Sequence, residues 1–367
     1  MITEVTTPTN LYKIDPVFGQ ISFDNHEQVV FCHDKDTGLK AIIGIHNTVL
    51  GPALGGTRMW KYNNEWEALN DVLRLSRGMT FKSAVAGLDL GGGKAVIIGD
   101  AKTDKTPELM RKFGEFVNSL GGKYITAEDV GMRTEDMDTV HEVTPYVTGI
   151  SESKGGSGNP SPVTGYGVYM GMKASAKFKF GTDSLAGKKI LVQGIGHVGE
   201  TLVSHIVKEG AEVTITDINT ERLNEVGAKY GVKIFEGSDL YAADVDIYAP
   251  CALGATLNND TVHKLKASIV SGAANNQLAD ENVHGKILKD RGILYAPDFL
   301  INAGGIINVY AEIVKYEKGE AIRRTENIYN TTLEIFDYAQ KHDITTHHAA
   351  LKVAQNRIEQ RKKENSK

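Results

Sequence analysis

From about Lys189 onward the chain alternates short β-branched runs with stretches of helical spacing. The runs Ile190–Gln193, Glu212–Asp217, Val232–Phe235, Asp246–Ala249, Ala267–Ser271 and Ile293–Ala296 predict six strands. Between them apolar residues recur at helical intervals, as in Val198, Leu202 and Ile206, a segment that ends near Gly210. Repeated strand–helix alternation predicts an α/β, doubly wound domain: a parallel sheet covered on both faces. Spacing alone leaves the strand order open. The first half has another texture. Gln28–Asp34 and Leu39–Asn47 are β-like runs joined by the hairpin-type connection Lys35-Asp36-Thr37-Gly38. Asn64 followed by Glu67 predicts a helix start, with Trp66, Leu69, Val72 and Leu73 as an apolar stripe that stops before Gly78. A strand is expected at Ala95–Ile98. The Ser-, Gly- and Pro-rich stretch Ser151–Pro162 predicts a linker or a hinge loop, and Leu351, Ala354 and Ile358 predict a last amphipathic helix running into the basic tail Arg361-Lys362-Lys363.

A length of 367 residues accommodates two domains, and 41% apolar with 24% charged residues is the profile of a globular enzyme. A net charge of −5 gives no reason to expect nucleic acid or an anionic membrane as partner. Two cysteines, Cys32 and Cys251, cannot build a disulfide framework and read as reduced thiols of a cytoplasmic protein. The start Met-Ile-Thr-Glu-Val-Thr-Thr-Pro lacks the basic and apolar regions of a signal peptide. No apolar stretch approaches the roughly 20 residues that span a bilayer. The sequon Asn330-Thr331-Thr332 is accordingly read as coincidental.

The strongest local signal is Gly194-Ile195-Gly196-His197-Val198-Gly199. With 39 glycines a bare G-x-G-x-x-G match carries little weight, so context decides. Here a predicted strand precedes it, a helical pattern follows, and Asp217 closes the next strand. Gly194 suits the tight turn, Gly196 the approach of a pyrophosphate, and Gly199 close helix–strand packing. The helix N-terminus offers unpaired N–H groups to phosphate. Asp217 would accept the adenosine ribose hydroxyls and repel the additional phosphate of NADP, which predicts NAD as cofactor; Arg222 lies close enough in sequence to leave that preference open. His197 is a spacer inside the turn.

Gly91-Gly92-Gly93-Lys94 invites a triphosphate-loop interpretation. The pattern requires glycine where Leu88 stands and a hydroxyl residue where Ala95 stands, so the match fails and argues against a nucleotide triphosphatase. Lys82 and Lys94 each occupy a glycine-rich or apolar setting. Beside the plain role of a surface lysine, one can hold a substrate carboxylate and the other, desolvated, can act as a base. Asp129, in Thr126-Ala127-Glu128-Asp129-Val130-Gly131, is either an acid–base carboxylate or a helix cap.

Several motifs occur together and in one order: Gly51-Pro52-Ala53-Leu54-Gly55-Gly56-Thr57-Arg58, Gly78-Met79-Thr80-Phe81-Lys82, Gly91–Lys94, Ala127–Gly131, Asn159-Pro160-Ser161-Pro162-Val163-Thr164, Gly272-Ala273-Ala274-Asn275-Asn276-Gln277 and Asn302-Ala303-Gly304-Gly305. Over nearly the whole chain they resemble the glutamate/leucine/phenylalanine/valine dehydrogenase family. The resemblance implies a catalytic and oligomerisation domain over 1–149 plus about 336–367, a Rossmann-type NAD-binding domain over 150–335, a cleft between them, and a homo-octamer. It implies Lys82 at the substrate α-carboxylate, Lys94 as the catalytic lysine that activates water, and Asp129 as proton shuttle to the amino group. It also implies Asn276 and Gly55 near the substrate. Thr164 would contact the nicotinamide carboxamide, with Asn275, Cys251 and Ala252 joining the glycine turn (His197 and Val198 included) around the cofactor. The implied reaction converts an L-amino acid, NAD⁺ and water into a 2-oxo acid, ammonium and NADH.

In the glutamate-specific branch a lysine stands at the place of Leu54 and a serine at the place of Val309, and these recognise a side-chain carboxylate. Here both places are apolar. Burying an unpaired carboxylate costs several kcal/mol, so an aliphatic side chain is expected against Leu54, Ala127, Ile306 and Val309, unless these four are plain core residues. One methylene discriminates by only about 1–3 kcal/mol, so Leu, Val and Ile are expected to share the site. A phenylalanine- or valine-directed enzyme and a catalytically silent NAD-binding protein are the alternatives. His342, His347 and His348 lack carboxylate or thiolate support at ligand spacing and read as helix surface rather than zinc ligands.

Overall fold

The computed structural model describes residues 17–20, 22–315 and 319–366; the N-terminal octapeptide Met-Ile-Thr-Glu-Val-Thr-Thr-Pro lies outside the described residues. The chain divides into two compact units, 1–80 with 90–147 and 81–89 with 148–367.

The first unit holds β1 (Gln28–Asp34), β2 (Leu39–Asn47), β3 (Ala53–Trp60), most of α1 (Glu65–Val85), β4 (Gly91–Ile98), α2 (Pro107–Ser119), β5 (Tyr124–Glu128) and α3 (Thr134–His141). Its sheet has the order β1-β2-β4-β3-β5. The β1–β2 and β2–β4 pairs are antiparallel, whereas β3 runs parallel to both β4 and β5. The hairpin β1–β2 is where the alternation predicts it. Strand β3 was not foreseen as a strand, because its glycine pair Gly55-Gly56 hides the β pattern. Those glycines are required by packing. A Cβ on Gly55 would stand 1.7 Å from the Gly93 carbonyl oxygen, and one on Gly92 would stand 2.1 Å from the Thr80 nitrogen of α1. The run Gly91–Gly93 therefore serves close strand–strand and strand–helix approach.

Helix α1 starts where predicted: the Asn64 side chain accepts the Glu67 N–H at 2.9 Å, and Glu67 accepts the Asn63 N–H at 3.0 Å. It does not stop before Gly78 but continues to Val85. Its buried face changes chemistry there, from Leu69, Val72 and Leu73 to Ser76, Thr80 and Ser83. Hydropathy loses the helix at that point, while the small hydroxyl residues keep it close to the glycine strand. Ser76 and Thr80 settle their hydroxyls on the Leu73 and Ser76 carbonyls, one turn back in each case. Trp66, assigned to the apolar stripe, is exposed; it precedes the face that meets Ile42 and Val96.

The second unit contains α4 (Ser161–Phe180), β6 (Lys189–Gln193), α5 (His197–Lys208), β7 (Glu212–Thr216), α6 (Thr220–Tyr230), β8 (Lys233–Ile234), β9 (Ile247–Pro250), β10 (Ile269–Val270), α7 (Val283–Asp290), β11 (Leu294–Tyr295), α8 (Asp298–Ile301), α9 (Gly304–Val314), α10 (Glu320–Glu326), α11 (Ile328–His342) and α12 (Thr346–Asn365). All six predicted strands form, shortened by one or two residues at some ends. The order is β11-β10-β9-β6-β7-β8 with every pair parallel. This is the Rossmann order, with its switch point beside β6. Residues 336–367, joined to the first domain by the resemblance, cluster with this unit. Helix α12 packs on α11 and β11, and Arg357 donates to the carbonyls of Ala84 (3.0 Å) and Leu88 (2.8 Å) in the 81–89 segment of the same unit. Among the described residues no helix is long and apolar enough to cross a membrane.

Candidate active site

Strand β4 delivers Lys94 from the middle of the first sheet, and Asp129 follows directly after β5. The two meet: Lys94 Nζ lies 2.8 Å from Asp129 Oδ2. Lys94 is 5% exposed, while the Asp129 side chain retains 25% exposure, so a buried ammonium is joined to a carboxylate that solvent reaches. Burial pushes the Lys94 amine below the ordinary lysine range, with Asp129 opposing it. For Asp129, burial alone would raise the carboxyl; Lys94 and then Arg58 outweigh it and hold it below the usual carboxylate value. Lys94 is thereby drawn toward its neutral form and Asp129 is kept ionised, so each is disposed to accept a proton.

Arg58, quoted within a motif but given no role from sequence, donates from Nε to the same Asp129 Oδ2 at 2.9 Å and from Nη1 to Asp71 Oδ2 at 2.9 Å. Tyr62 donates to that Asp71 oxygen at 2.8 Å. The available signal was strand parity, since Arg58, Gly56 and Leu54 alternate onto one face of β3. Leu54 is 2% exposed, Ala127 on β5 is half-buried, and the Gly55 carbonyl accepts the Tyr124 hydroxyl at 2.6 Å.

In the second unit, Lys82 donates from Nζ to Asn302 Oδ1 at 2.7 Å. Asn302, 4% exposed, donates in turn to the Ala273 carbonyl (3.1 Å) and to Asn275 Oδ1 (2.7 Å). Asn302 is a second residue that sequence reasoning passed over, and only its place in the Asn-Ala-Gly-Gly motif marked it. Asn276 is exposed with φ +52°, and its carbonyl accepts the Ala255 N–H at 2.7 Å. On α9, Ile306 is buried and Val309 half-buried. A Cβ on Gly304 would stand 2.2 Å from the Val163 carbonyl, so α9 begins tight against the first turn of α4, where Thr164 sits.

The nucleotide turn is built as its glycines require. Gly194 has φ +94°, and a Cβ there would lie 2.6 Å from Ala252. A Cβ on Gly199 would lie 2.1 Å from the Gly194 carbonyl, whereas one on Gly196 would meet nothing within 4 Å. Gly196 caps α5 without a side-chain bond, and His197 and Val198 form the first turn, so an open cradle faces the helix N-terminus. The residues thus fit a dinucleotide pyrophosphate. Asp217 is anchored beside the turn, accepting the Ile195 N–H at 2.8 Å and the Asn219 N–H at 2.9 Å. Arg222 is held by Glu200 and by Glu225, the latter at 2.8 Å. Cys251 donates its N–H to the Gln193 carbonyl at 2.7 Å, and burial pushes its thiol up to about 12. Of the three C-terminal histidines, His342 packs on Tyr338, while His347 meets Phe299 and the edge of His348, and His348 bonds Thr345 and Asn282. Among the described residues no group of three His, Cys, Asp or Glu side chains is arranged to hold a metal.

A Rossmann sheet with an open glycine cradle, and a buried lysine–carboxylate pair on a separate α/β unit, define a dinucleotide-dependent oxidoreductase. Comparison with known proteins specifies which. Residues 26–146 match the model of the Glu/Leu/Phe/Val dehydrogenase dimerisation domain, and 155–230 with 218–365 match that of the glutamate/leucine/phenylalanine/valine dehydrogenases. The chain is 54% identical to leucine dehydrogenase of Bacillus subtilis over 93% of its length and 94% of the relative's. It is 46% identical to phenylalanine dehydrogenase of Caldalkalibacillus thermarum, with 95% of each chain covered. The crystal structure of L-tryptophan dehydrogenase from Nostoc punctiforme superimposes with a TM-score of 0.84 at 45% identity, covering 92% of this chain and 97% of that one. The chain therefore belongs to the glutamate/leucine/phenylalanine/valine dehydrogenase family, and is an amino-acid dehydrogenase acting on a CH–NH₂ group.

Proposed function

We propose that the protein catalyses the reversible NAD-dependent oxidative deamination of branched-chain aliphatic L-amino acids, leucine foremost, with valine and isoleucine as further substrates. The observation that carries this is the buried Lys94–Asp129 contact at 2.8 Å. Lys82 holds the substrate α-carboxylate, and Asn276 and Gly55 are further substrate-binding residues. Asp129 takes a proton from the α-ammonium and frees its lone pair. Bound NAD⁺ supplies the acceptor for the α-hydride. Lys94 then deprotonates the water that adds to the iminium carbon; Asp129 returns its proton to the amine nitrogen, and the carbinolamine O–H proton passes to the ammonia as the C–N bond breaks, leaving 2-oxo acid, ammonium and a protonated Lys94. The ammonium of Lys94 also steadies the carbinolamine oxygen.

The glycine turn, Asp217, Cys251 and Ala252 hold the cofactor, and Thr164 and Asn275 its nicotinamide end. NAD rather than NADP is favoured because Asp217 lies beside the cradle and Arg222 is engaged by two glutamates. The substrate assignment is supported by the apolar character of Leu54, Ala127, Ile306 and Val309 and by the 54% identity to a leucine dehydrogenase. Two free thiols, Cys32 and Cys251, suit a reducing cytoplasm. We place self-association as a homo-octamer in the same proposal; sedimentation equilibrium should return eight times the 39.9 kDa chain mass. Steady-state rates on a panel of L-amino acids test the substrate. Leucine, valine and isoleucine should lead, with glutamate very poor; a preference for phenylalanine or tryptophan would transfer the chain to the aromatic-directed relatives.

A further inference from the structure

We infer that Arg58, anchored by Asp71, is the positioning residue of the Lys94–Asp129 pair: it fixes Asp129 through Oδ2 and reserves Oδ1 for proton exchange with the substrate amine. The inference rests on the roles of Lys94 and Asp129 proposed above.

Asp129 Oδ2 receives two cationic donors, Lys94 Nζ at 2.8 Å and Arg58 Nε at 2.9 Å. Among the described residues no protein donor bonds Oδ1, so the carboxylate is held by one oxygen and presents the other. Arg58 is in turn held at its far end. Its Nη1 lies 2.9 Å from Asp71 Oδ2, the oxygen that also accepts the Tyr62 hydroxyl at 2.8 Å, while Arg74 bonds Asp71 Oδ1 at 3.0 Å. Arg58, Asp71 and Asp129 have side-chain exposures of only 23%, 15% and 25%. A planar guanidinium bridging two carboxylates transmits the position of α1, which carries Asp71, to the residue after β5. A lysine carries the same charge but offers no fork that spans both carboxylates.

The charged and titratable groups facing Asp129 are Lys94 from β4, Arg58 from β3, Asp71 from α1 acting through Arg58, Tyr62 from the loop after β3, and Tyr124 from β5. Arg58 draws both catalytic groups the same way, lowering Asp129 by attraction and Lys94 by repulsion. Removing its charge therefore moves both titrations upward.

The test compares Arg58→Gln and Arg58→Lys with the unaltered enzyme, reading kcat and kcat/KM for leucine across pH, with NADH binding as a control for folding. Arg58→Gln should lower kcat at least about 10-fold and move the Lys94 midpoint on the rising kcat/KM profile upward by about 1 pH unit, with NADH affinity unchanged. Arg58→Lys should return that midpoint to within about half a pH unit while recovering only part of kcat. An unshifted midpoint in Arg58→Gln, or full kcat in Arg58→Lys, would overturn the inference. Should Arg58→Gln fail to bind NADH, Arg58→Lys decides alone by its kcat. Lys94→Ala and Asp129→Asn run beside them: turnover retained in those variants sinks the underlying roles, whereas its loss in them with native behaviour of both Arg58 variants sinks the Arg58 assignment alone.

Discussion

Lys94 is useful because its amine is nearly solvent-free yet one contact from a partly solvated carboxylate. Burial holds its folded-state value below the ordinary lysine value of about 10.4, and the neutral amine is the form that abstracts a proton from water. Deamination should therefore rise with pH through a midpoint below that value, which a kcat/KM profile checks. Stability carries the same sign: between the folded value of Lys94 and about 10.4 the unfolded chain binds more protons, so stability increases with pH in that window. Asp129 contributes at the opposite end. Its lowered value supplies stability that is complete above about 3.9 and is lost as pH falls through the folded value, readable in acid unfolding. Lys94→Ala should cost at least about 100-fold in kcat while sparing NADH binding, measured by steady-state kinetics and fluorescence titration. Residue type and glycine-rich setting made Lys94 and Asp129 visible in the sequence. Arg58 was not, because its meaning lies in Asp71 and Asp129, neither of them a chain neighbour.

At the scale of elements, the parallel trio β4-β3-β5 is drawn together by glycines that exclude side chains. Gly55→Ala should destabilise the first unit by at least about 3 kcal/mol, the upper end of ordinary overpacking, because its Cβ would collide with the Gly93 carbonyl. Chemical denaturation measures this. At the end of α1 the carbonyls of Ser83 and Ala84, which accept the Leu88 and Gly87 N–H groups, also meet Arg357. Arg357→Ala should cost about 1–3 kcal/mol and speed amide exchange over 83–89, one residue beyond Lys82. In the nucleotide turn, Asp217→Ala removes the acceptor of the Ile195 and Asn219 N–H groups. It should lower kcat/KM for NAD about 10-fold or more and narrow the ratio of NAD to NADP; an unchanged ratio would refute the role given to Asp217. Elements with regular periods, such as β1, β2, β6 and β7, were legible because period 2 or 3.6 is written in neighbouring residues. The second half of α1 was not, since its buried face is Ser76, Thr80 and Ser83, which hydropathy counts as solvent-facing.

For the whole molecule, the sequence by itself determined a doubly wound nucleotide unit, a mixed α/β first unit and the identity of the chemical groups. Each of these follows from local periodicity or from a turn in which only glycine relieves a steric conflict within a few residues. The tertiary structure alone decided the strand orders β1-β2-β4-β3-β5 and β11-β10-β9-β6-β7-β8. It also decided that Lys94 shares one oxygen of Asp129 with Arg58, and that Asn302 joins Lys82 to the Asn275 loop. Those contacts link residues tens to hundreds of positions apart. Their energies depend on distance in space and on exclusion of water, and neither quantity exists until the strands have paired and the glycines have let the layers close.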